Sequence, residues 1–168
     1  MAQIVNKFIA KSAAHMGSIK WVANGNAYWS YQGGSFGNFT AHNTIPTPVV
    51  TNLALDAGNN LPEIKFASLK PGNYQFVVTG AIYEVGGNQN WHAFRFTDGT
   101  NTSTPIVVTV TTSGGLSSSP LIGSISYSSP QTNITFTIEG YCPASDTIYL
   151  EAEIFDFQID VYYFPEAT

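Results

Sequence analysis

The chain is short of charge. Only 10% of its 168 residues are Asp, Glu, Lys or Arg, against about 25% in an ordinary soluble protein. The scarcity is uneven: after Arg95 there is no further Lys or Arg, while eight acids follow it. Without a basic stripe nothing neutralises phosphates, which sets nucleic-acid binding aside. The net charge of −5 equally disfavours adsorption to anionic membranes. Cysteine is reduced to Cys142, so an intrachain disulfide and a multi-cysteine metal site are both excluded and stability must come from packing or assembly. No run is apolar enough to span a bilayer as a helix. Residues 1–17 lack the apolar run and cleavage pattern of a secretory signal, so the expectation is a virion part, or a piece of a longer chain, released by another route.

Catalytic patterns are missing as well. There is no Gly-x-Ser-x-Gly elbow and no phosphate loop. His15, His42 and His92 are scattered without metal-ligand spacing. A single histidine on a strand, such as His92, is a packed residue far more often than a ligand. Glu151 and Glu153, at i and i+2, share one strand face, the usual arrangement of a solvated surface and not of a glycosidase pair. The expectation is a binding domain and not an enzyme, with no cofactor; Ca²⁺ near the Asp156 turn is the one ion to consider.

What is present is β-forming. Aromatics reach 14%, and the length fits one domain. Residues 1–17, with Ile4/Phe8 and Val5/Ile9 at i, i+4 spacing, are expected as an N-terminal arm or stalk junction, and residues 18–168 as a single β-domain. Ile19–Ala23 and Ala27–Gln32 flank Asn24-Gly25-Asn26, a tight-hairpin signal. Gln32–Asp56 reads as a long irregular passage. Eight strands then follow, at Glu63–Ala67, Asn73–Glu84, Trp91–Thr97, Pro105–Thr111, Leu121–Tyr127, Asn133–Glu139, Thr147–Ile154 and Phe157–Phe164. Their connections are too short for crossover helices, so the sheets must be antiparallel, in a sandwich or barrel.

Two of these strands are apolar on both faces. Tyr74, Phe76, Val78 and Ile82 oppose Val77, Ala81 and Tyr83; Phe157, Ile159, Val161 and Tyr163 oppose Gln158, Asp160, Tyr162 and Phe164. A lone sandwich has a polar outer face. The second apolar face calls for a partner surface, the alternative being cover by the first 60 residues.

Lys70-Pro71-Gly72-Asn73-Tyr74-Gln75-Phe76, then Trp91-His92-Ala93-Phe94-Arg95-Phe96, Ile134-Thr135-Phe136-Thr137-Ile138 and a closing aromatic strand follow one another in an order that resembles the complement globular-head and tumour necrosis factor type of jelly roll. The ending Asp160-Val161-Tyr162-Tyr163-Phe164-Pro165 is more similar to head domains at the tips of bacteriophage fibres and bacterial fibre adhesins. The resemblance spans roughly residues 61–165 and implies a homotrimeric, TNF-like jelly roll at a virion surface or extracellular fibre tip. It also implies that strands 91–97, 133–139 and 157–164 lie side by side at the threefold axis. Arg95 would there pair with Glu139 or Asp160 at a subunit interface that includes Tyr162. With the C-terminus at the base, loops 98–104, 128–132 and 155–156 would form the far apex.

Receptor binding needs aromatic planes with amides and carboxylates around them. Two sets qualify: Trp29 and Tyr31 in the aromatic passage with Phe36 and Phe39, and Asp98, Thr100, Asn101, Gln131 and Asp156 in the apical loops. The function expected is a receptor-binding or adhesin tip recognising a cell-surface glycan or protein, the alternative being a structural virion protein, a decoration or connector bound to another capsid or tail protein.

Overall fold

The computed structural model describes residues 14–22, 27–43, 47–50, 56–57, 63–79, 81–85, 91–109, 116–117, 120–142, 146–151 and 157–166. Its strands are β1 (Ala14–Val22), β2 (Ala27–Tyr31), β3 (Gly37–Asn38), β4 (Thr40–Asn43), β5 (Thr47–Val50), β6 (Asp56–Ala57), β7 (Glu63–Leu69), β8 (Gly72–Thr79), β9 (Ala81–Val85), β10 (Trp91–Thr97), β11 (Ile106–Thr109), β12 (Leu116–Ser117), β13 (Leu121–Tyr127), β14 (Gln131–Tyr141), β15 (Thr147–Glu151) and β16 (Phe157–Pro165). Among the described residues every strand pairing is antiparallel, and no helix is long and apolar enough to cross a membrane.

One sheet runs β13, β8, β16, β1, β5; a second runs β12, β9, β15, β2, β4; the third runs β11, β10, β14, β7, β6, with β3 on β14. The second sheet prolongs the first. Each of its strands is chain-consecutive with the strand holding the same place in the first, and the register of Leu121↔Val78 persists in Ser117↔Ile82. The long composite sheet faces the third across the core. The pair β10/β14 is nested inside β8/β16, and the chain changes layer at residues 70–71 and 128–130. That wrapping makes the domain an all-β antiparallel jelly roll.

Period-two alternation explains why these segments pair this way. In β13, Leu121, Gly123, Ile125 and Tyr127 are buried while the residues between them are exposed. The buried set of β8, Tyr74, Phe76 and Val78, meets the third sheet through rings: Phe76 lies 4.5 Å from Phe136 and 4.8 Å from Phe96, and Tyr74 lies 6.4 Å from Phe66. Aromatic pairs of this kind each contribute about 0.5–1.5 kcal/mol beyond area burial, so ring stacking across the layers is a main source of cohesion here.

Three expectations are corrected. The runs at 19–23 and 27–32 do not form a hairpin: β1 pairs with β16 and β5, and β2 with β15 and β4. The passage 32–56 is not wholly irregular, since it supplies β3, β4 and β5. Finally, β16 does not join β10 and β14 but lies between β8 and β1 in the opposite layer. Both neighbours of β14 are already taken, by β10 and β7. The strand β1 begins at Ala14, inside the segment read as an arm, and Ala14 pairs with Tyr163.

The ends of the sandwich follow from these registers. Ala14, Gly72, Tyr127 and Pro165 lie together at one end, called proximal below. Residues 32–36 and Cys142 mark the distal end, where the Cys142 thiol lies 3.7 Å from the Tyr31 and Gly33 carbonyl oxygens.

His92 is fully buried, with Nε2 3.9 Å from the buried Asp146 Oδ2. Burial lowers its pKa below the ordinary value, and the Asp146 carboxylate, which favours the protonated ring, offsets only part of this. The folded chain therefore keeps His92 neutral at a pH where the unfolded chain begins to bind a proton, near pH 6.5. Stability is expected to be flat above that pH and to fall below it, by at most about 1.4 kcal/mol per pH unit for this one proton. Denaturant titrations from about pH 7.5 to about pH 5 are expected to show this slope in the wild type and to lose it in His92→Gln. Equal slopes in the two proteins would rule His92 out as its source.

Candidate functional site

Three surfaces hold the residues singled out above. The first is the proximal loop 98–103. Asp98 accepts hydrogen bonds from the Thr100 and Asn101 backbone N–H groups at 2.8 and 2.6 Å, from Asn101 Nδ2 at 2.9 Å and from the Tyr127 hydroxyl. Partial burial pushes its carboxyl up, but these bonds outweigh that and hold it below the ordinary carboxylate value, while burial and the Asp98 bond raise the Tyr127 phenol. Ser103 closes the loop, its hydroxyl accepting from Phe96 N at 2.9 Å. The Asp98 carboxylate is thus occupied within the loop, which leaves Thr100, Asn101 and Thr102 as its exposed side chains. Gln131 donates to the Ser129 carbonyl and hydroxyl of its own turn. Asp156, and with it the Ca²⁺ expectation, lies outside the described residues. Among the described residues no cluster of three His, Cys, Asp or Glu is placed to hold a metal.

The apex expected from the sequence is corrected here. The loop 98–103 and the turn 128–130 share the proximal end with Ala14 and Pro165 instead of lying opposite the C-terminal strand's exit. The reason is the direction of β16, which runs toward Gly72, the first residue of β8.

The second surface is the outer face of the sheet β13, β8, β16, β1, β5. Cross-strand pairing sets Ile122 beside Val77 and Val77 beside Asp160, and places Tyr162 beside Gln75. Ile122 is 51% exposed and Val49, on β5, 47%. The charged groups of this face are few. Asp160 is held by His15 and Gln158, each at 3.0 Å, and the His15 ring lies 5.0 Å from Tyr162.

The third is the outer face of the opposite layer. Arg95 Nε donates to Glu139 Oε2 at 2.6 Å, and the guanidinium carbon stands 4.3 Å from the centre of the Phe36 ring. Phe36 in turn meets Tyr141 at 5.7 Å. Strand pairing places Arg95 opposite Glu139 and Glu139 opposite Asn38. The sequence offered Glu139 or Asp160 as the partner of Arg95, and the geometry selects Glu139. Arg95 and Glu139 consequently lie on one surface of the sandwich and Asp160 and Tyr162 on the other.

No protein-family model matches the chain. No curated protein sequence matches it either. Among solved structures, an Eiger TNF structure from S. frugiperda aligns with a TM-score of 0.49 at 8% identity, over 92% of this chain and 96% of that one. The CBM22-1 xylan-binding domain of Xyn10C from Paenibacillus barcinonensis aligns with a TM-score of 0.40 at 14% identity, over 94% and 99%. The CBM22-1–GH10 modules of xylanase 10B from Clostridium thermocellum, complexed with xylohexaose, align at 0.32 and 14% identity, over 92% of this chain and 30% of that one.

The aromatic passage divides between core and surface. Trp29 is buried, edge-on to Trp21 at 5.7 Å. Phe39 is buried and stacked on Phe94 at 6.0 Å. Neither presents a ring to a ligand, because the prolonged sheet needs its own core. Tyr31 packs under Gly33 and Gly37, where an added Cβ would lie within 2.8 and 2.5 Å of its ring or hydroxyl, and its hydroxyl donates to the Ser35 carbonyl. It braces the loop that presents Phe36. The sequence reading named Phe36 but not Tyr141, the ring beside it. The available signal was parity: Tyr141 is two residues beyond Glu139, on the same face of the strand.

Proposed function

We propose that this chain is a non-enzymatic binding domain, the homotrimeric tip of a phage or bacterial fibre, which recognises a cell-surface glycan or protein at a virion surface or extracellular fibre end. The observation that carries this reading is the outer face built on β8 and β16, where Val77, Ile122, Tyr162 and Phe164 lie outside the core. An isolated sandwich gains nothing from leaving such residues in water. A sheet face with apolar side chains set among mostly uncharged polar ones can meet its own copies around an axis with few like charges opposed. The number three comes from the resemblance of residues 61–165 to trimeric heads. With this face turned inward, the Arg95 surface faces outward, available to a ligand.

Sedimentation equilibrium of the full chain is expected to give three copies per particle, and the labelled particle to bind saturably to cells of a bacterial strain panel. A monomer at micromolar concentration would remove the assembly. A stable trimer that binds no strain would favour the connector reading over the tip.

A further inference from the structure

The Arg95 surface has the chemistry of a ligand site whose hydrogen-bonding groups are only partly used by the described residues. Only Nε of Arg95 is used, in the bond to Glu139 Oε2, so both terminal amino groups of the guanidinium and the second Glu139 oxygen lack a hydrogen-bond partner among the described residues. The side chains are 27% and 17% exposed. Arg95 is the only arginine of the chain. Arginine–carboxylate pairs frequently use the guanidinium fork in bidentate fashion. Here the guanidinium bonds through Nε alone and stands over the Phe36 ring.

The surrounding rings are held in place. The loop 32–36 is braced from below by Tyr31, which fills the space against Gly33 and Gly37 and donates to the Ser35 carbonyl. Phe36 is pinned between Arg95 and Tyr141. A prearranged ring of this kind loses little conformational freedom on binding. Glu139 and Tyr141 stand on the distal half of β14, and Arg95 meets Glu139 from the neighbouring β10.

We propose that Arg95, Glu139, Phe36 and Tyr141 form a subsite for one neutral sugar ring of a surface glycan. This rests on the binding reading above and deepens it. Phe36 and Tyr141 face the apolar C–H side of the ring. The terminal amino groups of Arg95 donate to, and the second Glu139 oxygen accepts from, a pair of adjacent hydroxyls. The ligand is neutral because the site is: one guanidinium and one carboxylate cancel, and the residues from 96 onward carry eight acids and no base. A sialylated or sulfated sugar would meet the Glu139 carboxylate and the acidic half of the chain.

The probes are an array printed with neutral hexose- and N-acetylhexosamine-terminated glycans beside sialylated and sulfated ones, and saturation-transfer NMR with the methyl glycosides of galactose, glucose, mannose and N-acetylglucosamine. The intact protein is expected to bind at least one neutral ligand. Arg95→Lys, Glu139→Gln and Phe36→Leu are each expected to weaken that binding roughly tenfold or more, with solution mass and melting temperature retained. Ser68→Ala, at an exposed position of β7 near the proximal end, is expected to leave binding unchanged. Binding of neutral glycans that none of the three cluster variants weakens would overturn the subsite while leaving the tip function standing. So would binding restricted to the acidic glycans. Failure to bind any glycan, with saturable binding to cells retained, would overturn the sugar ligand and point to a protein receptor.

Discussion

Val77→Arg is expected to turn the proposed trimer into folded monomers. Val77 lies on the outer face of β8, flanked across the strands by Ile122 on one side and Asp160 on the other. In the separated chain an arginine there reaches solvent and can pair with Asp160, so the fold itself loses little. Within the assembly the same side chain must be desolvated, at a cost of several kcal/mol for each buried charge, and a cyclic trimer incurs that cost at each of its three interfaces. Sedimentation equilibrium should therefore report one copy in place of three at micromolar concentration, with an unchanged far-UV circular dichroism spectrum. Ile122→Arg, on the neighbouring strand, serves as a second probe of the same face. If both variants keep the wild-type mass, this face does not mediate assembly.

Gly72→Ala is expected to be among the most damaging single-methyl changes in the protein. Gly72 has φ +146, a region closed to residues with a Cβ, and an added Cβ would approach the Phe164 carbonyl oxygen to 2.6 Å and the Tyr163 ring to 2.5 Å. The carbonyl belongs to the backbone of β16 and cannot swing away. Nor can Tyr163 leave freely, since its hydroxyl donates to the Pro71 carbonyl at 2.7 Å and its ring packs on Tyr74 at 5.1 Å. Backbone strain of about 1–3 kcal/mol combines with overpacking of about 1–3 kcal/mol, for a loss of about 3 kcal/mol or more. For a chain of this size each kcal/mol lowers the melting temperature by about 2–4 °C, so a fall on the order of 10 °C should be seen by calorimetry. Gly99→Ala is the contrast. Gly99 also has a positive φ, +90, but nothing lies within 4 Å of the added Cβ, so only the backbone strain remains and the loss should be clearly smaller. Equal losses at the two positions would mean that the close approach of β8 and β16 at Gly72 is not limiting.

The Lys70–Phe76 motif shows why part of the fold was legible. A turn glycine followed by alternating aromatics marks a strand start whatever the neighbours are, and β8 begins at Gly72 with Tyr74, Phe76 and Val78 buried. The strands at Trp91–Thr97 and Leu121–Tyr127 have the bounds read from the sequence. The resemblance implied that the strands of Arg95 and Glu139 are neighbours, and they do pair, with the two side chains joined in an ion pair. Trp29 and Phe39 were misread because an aromatic in a Gly-rich passage has the same local pattern whether it faces solvent or closes a core. Their burial depends on the prolonged sheet, whose strands come from five distant parts of the chain.

The sequence by itself determined the all-β class, the places of most strands and which residues share a strand face, since each of these depends on a period of two and on local turn chemistry. Only the tertiary structure decided that β16 lies between β8 and β1, that Arg95 pairs with Glu139 on the surface opposite Asp160 and Tyr162, and that loop 98–103 shares the proximal end with Ala14 and Pro165. The physical reason is that backbone hydrogen bonding is the same for every pair of strands. The choice of neighbour, and with it the composition of each outer surface, is made by the long-range packing of rings such as Phe76, Phe96 and Phe136, which no local window of sequence contains.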